Sequence, residues 1–352
     1  MSNFLFVLLS VALTAVSWGI YGPLMREGVV EMKGSHLLPF ICVGVSYFLI
    51  AVVVPFGVLK WRPESGRWTT TGILWSFIAG VVTAVGALGI ILAQVNGGSP
   101  IYVMPLVFGG APVVNTFMSM YMAKTYRQAG PIFYAGLILV VAGAVTVLIF
   151  NPAKSKARPA PTTAAETAAA VPAPVPASEP SDAHAEAGRF KHWVLVPCFI
   201  AMTALCWGAY GPLLHKGQVA MQGSRLRPFI SVGMAYFLIA VLAPLLIRPF
   251  TADHGELTTS GTLWSLAVGV AGAVGSLGVI LAFTFGGKPV YVMPLIFGLA
   301  PVINTFVSIA SAKNIGEINP LFYAGLIVVV AGAVTVLIFA PKPPHAPMAK
   351  KK

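Results

Sequence analysis

The stretch IYVMPLVFGGAPVVNTF, residues 101–117, returns almost unchanged as VYVMPLIFGLAPVINTF at residues 290–306. Both runs are apolar enough to cross a bilayer as a helix. Both are interrupted by prolines, Pro105 and Pro112 in the first and Pro294 and Pro301 in the second, with Gly109 and Gly298 between them. Each internal proline removes a backbone donor and clashes with the carbonyl four residues earlier. In lipid, the freed groups must find partners in protein or in a water-lined cavity. The reading is therefore two membrane helices with the same built-in break or hinge, a pattern that points to a transport site between two halves.

Composition agrees with the membrane setting. Of 352 residues, 57% are hydrophobic and 9% charged, far below the roughly 25% charged of a soluble domain. The net charge of +12 does not indicate nucleic acid, because the basic residues stand singly between apolar runs, clustering only at Lys350–Lys352. Cys42, Cys198 and Cys206 lie within apolar runs and read as packed thiols, not disulfide partners or metal ligands.

The whole chain is duplicated at a constant offset of 189 residues: Trp18 matches Trp207, Tyr47 matches Tyr236, Asn115 matches Asn304 and Tyr134 matches Tyr323. Residues 1–150 form the first copy and 190–341 the second. Between them, 151–189 is an Ala/Pro-rich linker whose composition builds no core, and 342–352 is a basic tail. Each copy holds five apolar runs, each near the ~20 residues of a spanning helix. Five is odd, so the copies must cross the membrane in opposite directions. The expected fold is all-α and integral to the membrane, with ten transmembrane helices in two inverted five-helix repeats. The first run has no basic leader and recurs mid-chain, so it reads as a retained span and not a signal peptide. With the N-terminus inside, thirteen of the 22 basic residues fall on the inner side, and five of the remaining nine lie in or beside the linker. Both termini are therefore expected in the cytoplasm, with the linker outside, in the inner membrane of a bacterium.

Candidate binding residues follow span by span. Thr14, Trp18 and Tyr21 share a helix face, as do Thr203, Trp207 and Tyr210. They either stack on a solute or form an interfacial aromatic belt. The Gly22–Pro23 and Gly211–Pro212 pairs that follow should end or kink each helix. Tyr47 and Tyr236 read as structural, and His36 and His215 as solvated residues near span ends. The small-residue ridges Ala79–Thr83–Ala87 and Ala267–Ala271–Gly275 read as close-packing faces. Gln94 is a polar contributor that Phe283 replaces in the second copy. Asn115 and Asn304 stand beside the proline–glycine segments. They either bridge helices or present their amides to a solute, and the solute reading is preferred. Tyr102 and Tyr291 open the same runs. The fifth and tenth spans read as scaffold or homodimer-facing helices. No acidic or basic residue lies deep in any span, which weakens a proton-carboxylate scheme and argues against a strongly charged solute. No nucleotide loop, catalytic dyad or metal cluster is apparent, so neither enzyme activity nor a cofactor is expected.

Two copies of five spans, Trp18–Gly19 late in the first, and Gly316–Glu317 before the last together resemble the drug/metabolite transporter superfamily, EamA-type. In that family a Gly–Glu pair precedes a closing helix with a G-x6-G-like pattern, here Gly325 and Gly332, echoed by Gly136 and Gly143. The first copy departs from it, with Arg127–Gln128 where the Gly–Glu pair would stand. PLVFGGAPVVNTF is also similar to the glucose/rhamnose-uptake branch. The resemblance implies a cavity lined by spans one to four and six to nine, with spans five and ten peripheral. The expected function is alternating-access transport of a small polar organic solute, a sugar or an amino-acid-like molecule. The alternative is a non-transporting membrane sensor or an assembly partner acting through its linker.

Overall fold

The computed structural model describes residues 2–62, 64–96, 100–150, 194–251, 253–311 and 319–341. The linker, the tail and Gly316–Glu317 lie outside them, as do the side chains of Gln94, Tyr102 and Pro105. The described residues are helical throughout, with no strand. Ten helices follow one another: α1 Ser2–Glu31, α2 Leu37–Trp61, α3 Thr70–Val95, α4 Pro100–Ala123 and α5 Pro131–Ile149. The second copy supplies α6 Val196–Ala220, α7 Leu226–Phe250, α8 Thr259–Thr284, α9 Pro289–Ser311 and α10 Pro320–Phe339. Seven are long and apolar enough to cross a membrane, and α5, α9 and α10 contribute shorter apolar stretches. Large apolar side chains such as Phe56, Ile138, Leu246 and Ile327 point outward. The chain thus fits a multi-pass membrane protein, whose outer surface meets acyl chains instead of water.

The two copies interlock. The first helix of each packs on the third helix of the other, α1 on α8 and α6 on α3, while α2 packs on α7 and α5 on α10. Contacts come in mirrored pairs. Thr14 donates to the Gly275 carbonyl at 3.0 Å and Thr203 to the Gly86 carbonyl at 3.1 Å. The closing helices meet through their spaced glycines. A Cβ on Gly143 would lie 2.5 Å from the Val329 nitrogen, and one on Gly332 would lie 2.5 Å from the Val140 nitrogen. The G-x6-G pattern is thus the seam between α5 and α10.

Pro23, Pro212, Pro294 and Pro301 do not end or break their helices. Helix α1 continues through Pro23, α6 through Pro212, and α9 through Pro294 and Pro301. Helix α4 likewise runs unbroken from Pro100 to Ala123. Partners elsewhere in the protein can satisfy the groups a proline frees, so helical geometry survives the lost donor. Distortion occurs instead where the sequence reading did not look. Leu49–Val53 in α2 and Leu238–Leu242 in α7 are π-turns, just before Pro55 and Pro244. There the missing proline N–H leaves the ladder one bond short, and the turn widens. The widened turns bring Ala51 against Gly233 and Ala240 against Gly44.

Loops from opposite copies cap each other. Ser35 donates to Asp253 at 2.6 Å, and the His36 and Leu37 N–H groups donate to the same carboxylate at 3.0 Å each. In the mirrored loop, Ser224, Arg225 N–H and Leu226 N–H donate to Glu64 at 2.7, 2.8 and 3.1 Å. Each carboxylate thus serves the N-terminus of a helix in the other copy, where orphan N–H groups and the helix dipole favour negative charge. Partial burial works against the charged form of Asp253. Hydrogen bonds from Ser35, Leu37, His36 and Gly255 outweigh it and hold the carboxyl below its usual range. A depressed folded-state pKa adds stability that is present above the unfolded value of about 3.9 and is lost as pH falls through the folded value. The protection factors of the His36 and Leu37 amides, taken relative to the intrinsic exchange rate at each pH, should therefore fall below about pH 4. In Asp253→Asn they should already be low at neutral pH and change little in acid.

Candidate functional site

The two tryptophans lie inside the bundle, not in a belt at its rim. Trp18 Nε1 donates to the Gly272 carbonyl at 3.3 Å and Trp207 Nε1 to the Thr83 carbonyl at 3.2 Å. The absent side chains of Gly275 and Gly86 make room for the indoles. A Cβ on Gly86 would fall 2.5 Å from Trp207 Nε1. Gly275 belongs to a ridge read from sequence as a packing face, whereas Gly86 stands beside Ala87 of the other ridge and lies outside that reading; both seat an indole.

Around the indoles stands an aromatic box at the centre of the mirrored arrangement. Phe108 and Phe297 face each other at 6.2 Å, and each also meets an indole, Phe108 with Trp207 at 6.2 Å and Phe297 with Trp18 at 6.3 Å. Trp18 meets Tyr210 at 6.2 Å. Tyr47 and Tyr236 stack nearly parallel, with centroids 4.3 Å apart. Tyr21 lies beside Tyr236. Tyr47 donates to Ser276 at 2.7 Å, whereas the buried Tyr210 hydroxyl lies beside Ser276 without a well-formed hydrogen bond. The sequence reading missed Phe108 and Phe297, although both stand at mirrored positions within the repeated stretch. It also set Tyr47 and Tyr236 aside as structural, yet they stack between the copies. Ser276 carried a signal too: it departs from the repeat, with Ala87 at the matching position.

The asparagines are not equivalent. Asn115 is fully buried and its Nδ2 donates to the Pro289 carbonyl at 2.8 Å, while its Oδ1 is buried without a partner. Here the bridging alternative describes Asn115, which ties α4 to the start of α9. Asn304 is half-buried beside Gly22 of α1. Thr116 and Ser119, below Asn115 on α4, are buried with unpartnered hydroxyls. Tyr291 is not brought to the box: its hydroxyl reaches back to the Gly286 carbonyl at 3.4 Å and braces the α8–α9 corner. Gly109 and Gly298 give clearance to Val145 of α5 and Val140 of α5, respectively. Pro112, Pro294 and Pro301 are buried.

The asymmetry extends beyond one residue pair. Tyr21–Met25 towards the end of α1 are all half-buried, while the matching run Tyr210–Leu214 of α6 is buried. Leu106 is 56% exposed, whereas its counterpart Leu295 is 6% exposed. Met104 is half-buried and Met293 fully buried. The end of α1 and the start of α4 are thus more exposed than their mirror images at the end of α6 and the start of α9. Among the described residues, no ionised side chain enters the box. No cluster of His, Cys, Asp or Glu fit to hold a metal occurs among the described residues.

No family model and no curated protein matches this chain. Solved structures do. One, described only as "Crystal structure of protein", is similar with a TM-score of 0.64 at 14% identity, over 95% of this chain and 97% of that one. At that identity the likeness speaks for the fold alone.

The indole hydrogen bonds make a direct prediction. Trp18→Phe and Trp207→Phe each remove one interhelical hydrogen bond while the acceptor carbonyl keeps its helical partner, and should each destabilise the bundle by about 0.5–1.5 kcal/mol. Thermal unfolding in detergent should show similar shifts for both variants, because the two bonds are mirror images.

Proposed function

We propose that the chain is a secondary transporter of a small, polar, largely uncharged organic solute, built as ten spans in two inverted repeats and caught open to one side. The inverted arrangement is supported by the loop pairing. The α1–α2 loop meets the α7–α8 loop, and the α2–α3 loop meets the α6–α7 loop. Spans that alternate in direction, with five per copy, bring these loops to common sides. Parallel repeats would instead set the α1–α2 loop beside the α6–α7 loop.

The observation that carries the transport reading is the unequal state of equal residues. A static scaffold made from two matching copies has no reason to seal Asn115 while leaving Asn304 half-exposed. A carrier has one, because it must close one side while the other is open. In this reading, the Asn115–Pro289 bond holds the closed side. In the opposite state Asn304 takes the mirrored bond, to the carbonyl of Pro100. The continuous proline-bearing helices bend, without breaking, as the two sets of contacts exchange. Trp18, Trp207, Phe108 and Phe297 bound the path with ring faces, and Tyr21, Tyr47, Tyr210 and Ser276 supply hydroxyls. The absence of ionised groups there favours a neutral or zwitterionic cargo. By the distribution of basic residues, the closed side is cytoplasmic and the open side bears the linker.

Cysteine labelling tests this after Cys42, Cys198 and Cys206 are replaced by alanine. Leu24→Cys and Met25→Cys should react with an impermeant maleimide from the linker side, while Leu213→Cys and Leu214→Cys stay protected. Adding Asn115→Ala should raise labelling at Leu214→Cys severalfold and lower it at Met25→Cys. The Asn115→Ala/Asn304→Ala double variant should insert normally and abolish solute flux in proteoliposomes. Equal protection at all four positions, or normal flux in the double variant, overturns the proposal and returns the sensor or assembly-partner reading.

A further inference from the structure

Most interior contacts above have a mirror image, but the polar lining of one cavity is not repeated in the first copy's sequence. The cavity lies between the ends of α6 and α8, has a volume of about 310 Å³, and is lined by His215, Gln218, Phe283 and Thr284 among others. The first copy repeats none of these four, having Arg26, Val29, Gln94 and Val95 at the matching positions. The duplication therefore does not require this cavity, and its polar lining calls for a separate explanation.

Its chemistry is one-sided. Gln218 is 3% exposed. Its Nε2 donates to the Ile280 carbonyl at 3.2 Å and to Thr284 Oγ1 at 2.8 Å. A carbonyl can only accept, so the orientation of the amide is fixed and Oε1 faces away from both partners. That Oε1 is buried and unpartnered. The Thr284 hydroxyl spends its proton on the Ile280 carbonyl at 2.9 Å, leaving lone-pair capacity only. His215 stands edge-on to Phe283 with centroids 5.0 Å apart, and its Nδ1 is buried without a partner. Gln218 Oε1 and His215 Nδ1 are thus two buried, unpartnered polar atoms of residues that line the cavity, with the Phe283 ring beside them. Lys288, four residues beyond Thr284, places a positive charge at this end of the bundle and disfavours a cation. The bare amide oxygen disfavours an anion, which brings only acceptors of its own. A hydroxyl donates into such a site at no charge cost, and the C–H face of a compact polyol can rest on the ring.

We propose that this cavity is a binding site for a neutral polyhydroxyl solute, held by Gln218 Oε1 and His215 against the Phe283 ring. The site goes beyond the carrier reading and does not depend on it, since occupancy can be read without flux.

The test uses the full chain in nanodiscs with ¹⁵N-labelled histidine, the His215 signals being assigned by their loss in His215→Asn. Titration with myo-inositol, xylitol and glycerol should give a saturable shift of the His215 signals with at least one of them, and none with choline or acetate. Gln218→Val should weaken that binding about tenfold, the worth of one hydrogen bond. Valine already occupies the matching position in the first copy, and Thr284→Val serves should the first variant fail to fold. Asn304→Ala should bind as the parent does, even where it transports nothing. No saturable shift with any of the three polyols, an equal response in the valine variants, or the same response to choline or acetate each overturns the site.

Discussion

Two helices in a bilayer gain nothing from excluding water, because the acyl chains around them are as apolar as their own side chains. What joins them must be close approach and hydrogen bonds that have nowhere else to go. In this chain that demand falls on two mirrored pairs. Thr14 and Trp18 of α1 bond the backbone carbonyls of Gly275 and Gly272 in α8, and Thr203 and Trp207 of α6 do the same to Gly86 and Thr83 in α3. These bonds require glycine at Gly86 and Gly275, and the indoles so seated bring Phe108 and Phe297 together. The box at the centre is a by-product of how the copies are fastened.

The capping carboxylates extend the same logic to the rims. Glu64 and Asp253 sit one repeat apart and each closes a helix N-terminus of the other copy. Glu64 also lies near Arg225 and Arg227 at 3.8 and 3.9 Å, and Lys33 pairs with Glu256 at 2.6 Å near the opposite loop. The exposed Lys33–Glu256 pair adds little to stability. The hydrogen bonds to helix termini matter more, since those N–H groups otherwise go unmet.

Much of this was legible in the sequence. The constant offset between Trp18 and Trp207, or Asn115 and Asn304, announced two copies, and the apolar runs announced helices. Spacing alone put Thr14, Trp18 and Tyr21 on one face, and they do share the buried side of α1. Spacing could not say what that face meets, because the partner lies 261 residues away for Thr14. The prolines misled for a related reason. Their local cost is real, but tertiary packing decides whether it appears as a break. It surfaces as π-turns ahead of Pro55 and Pro244, and leaves α9 intact around Pro294 and Pro301. Asn115 and Asn304 looked identical in sequence because they are. Only the three-dimensional state of the chain separates them.

The exchange of partners between copies has a consequence for synthesis at the ribosome. When α1 enters the membrane, the carbonyls that Thr14 and Trp18 will meet belong to residues not yet translated. At about 5–20 residues per second, the wait for them is on the order of ten to fifty seconds. During that interval the nascent first half holds its sockets empty, with no α6 for the Gly86 groove and no α10 for Gly143. It must be sheltered by lipid, by the insertion machinery or by another immature copy. An early pause or truncation would therefore leave a half-barrier with sticky faces instead of a smaller working unit, a vulnerability that quality-control proteases are placed to exploit.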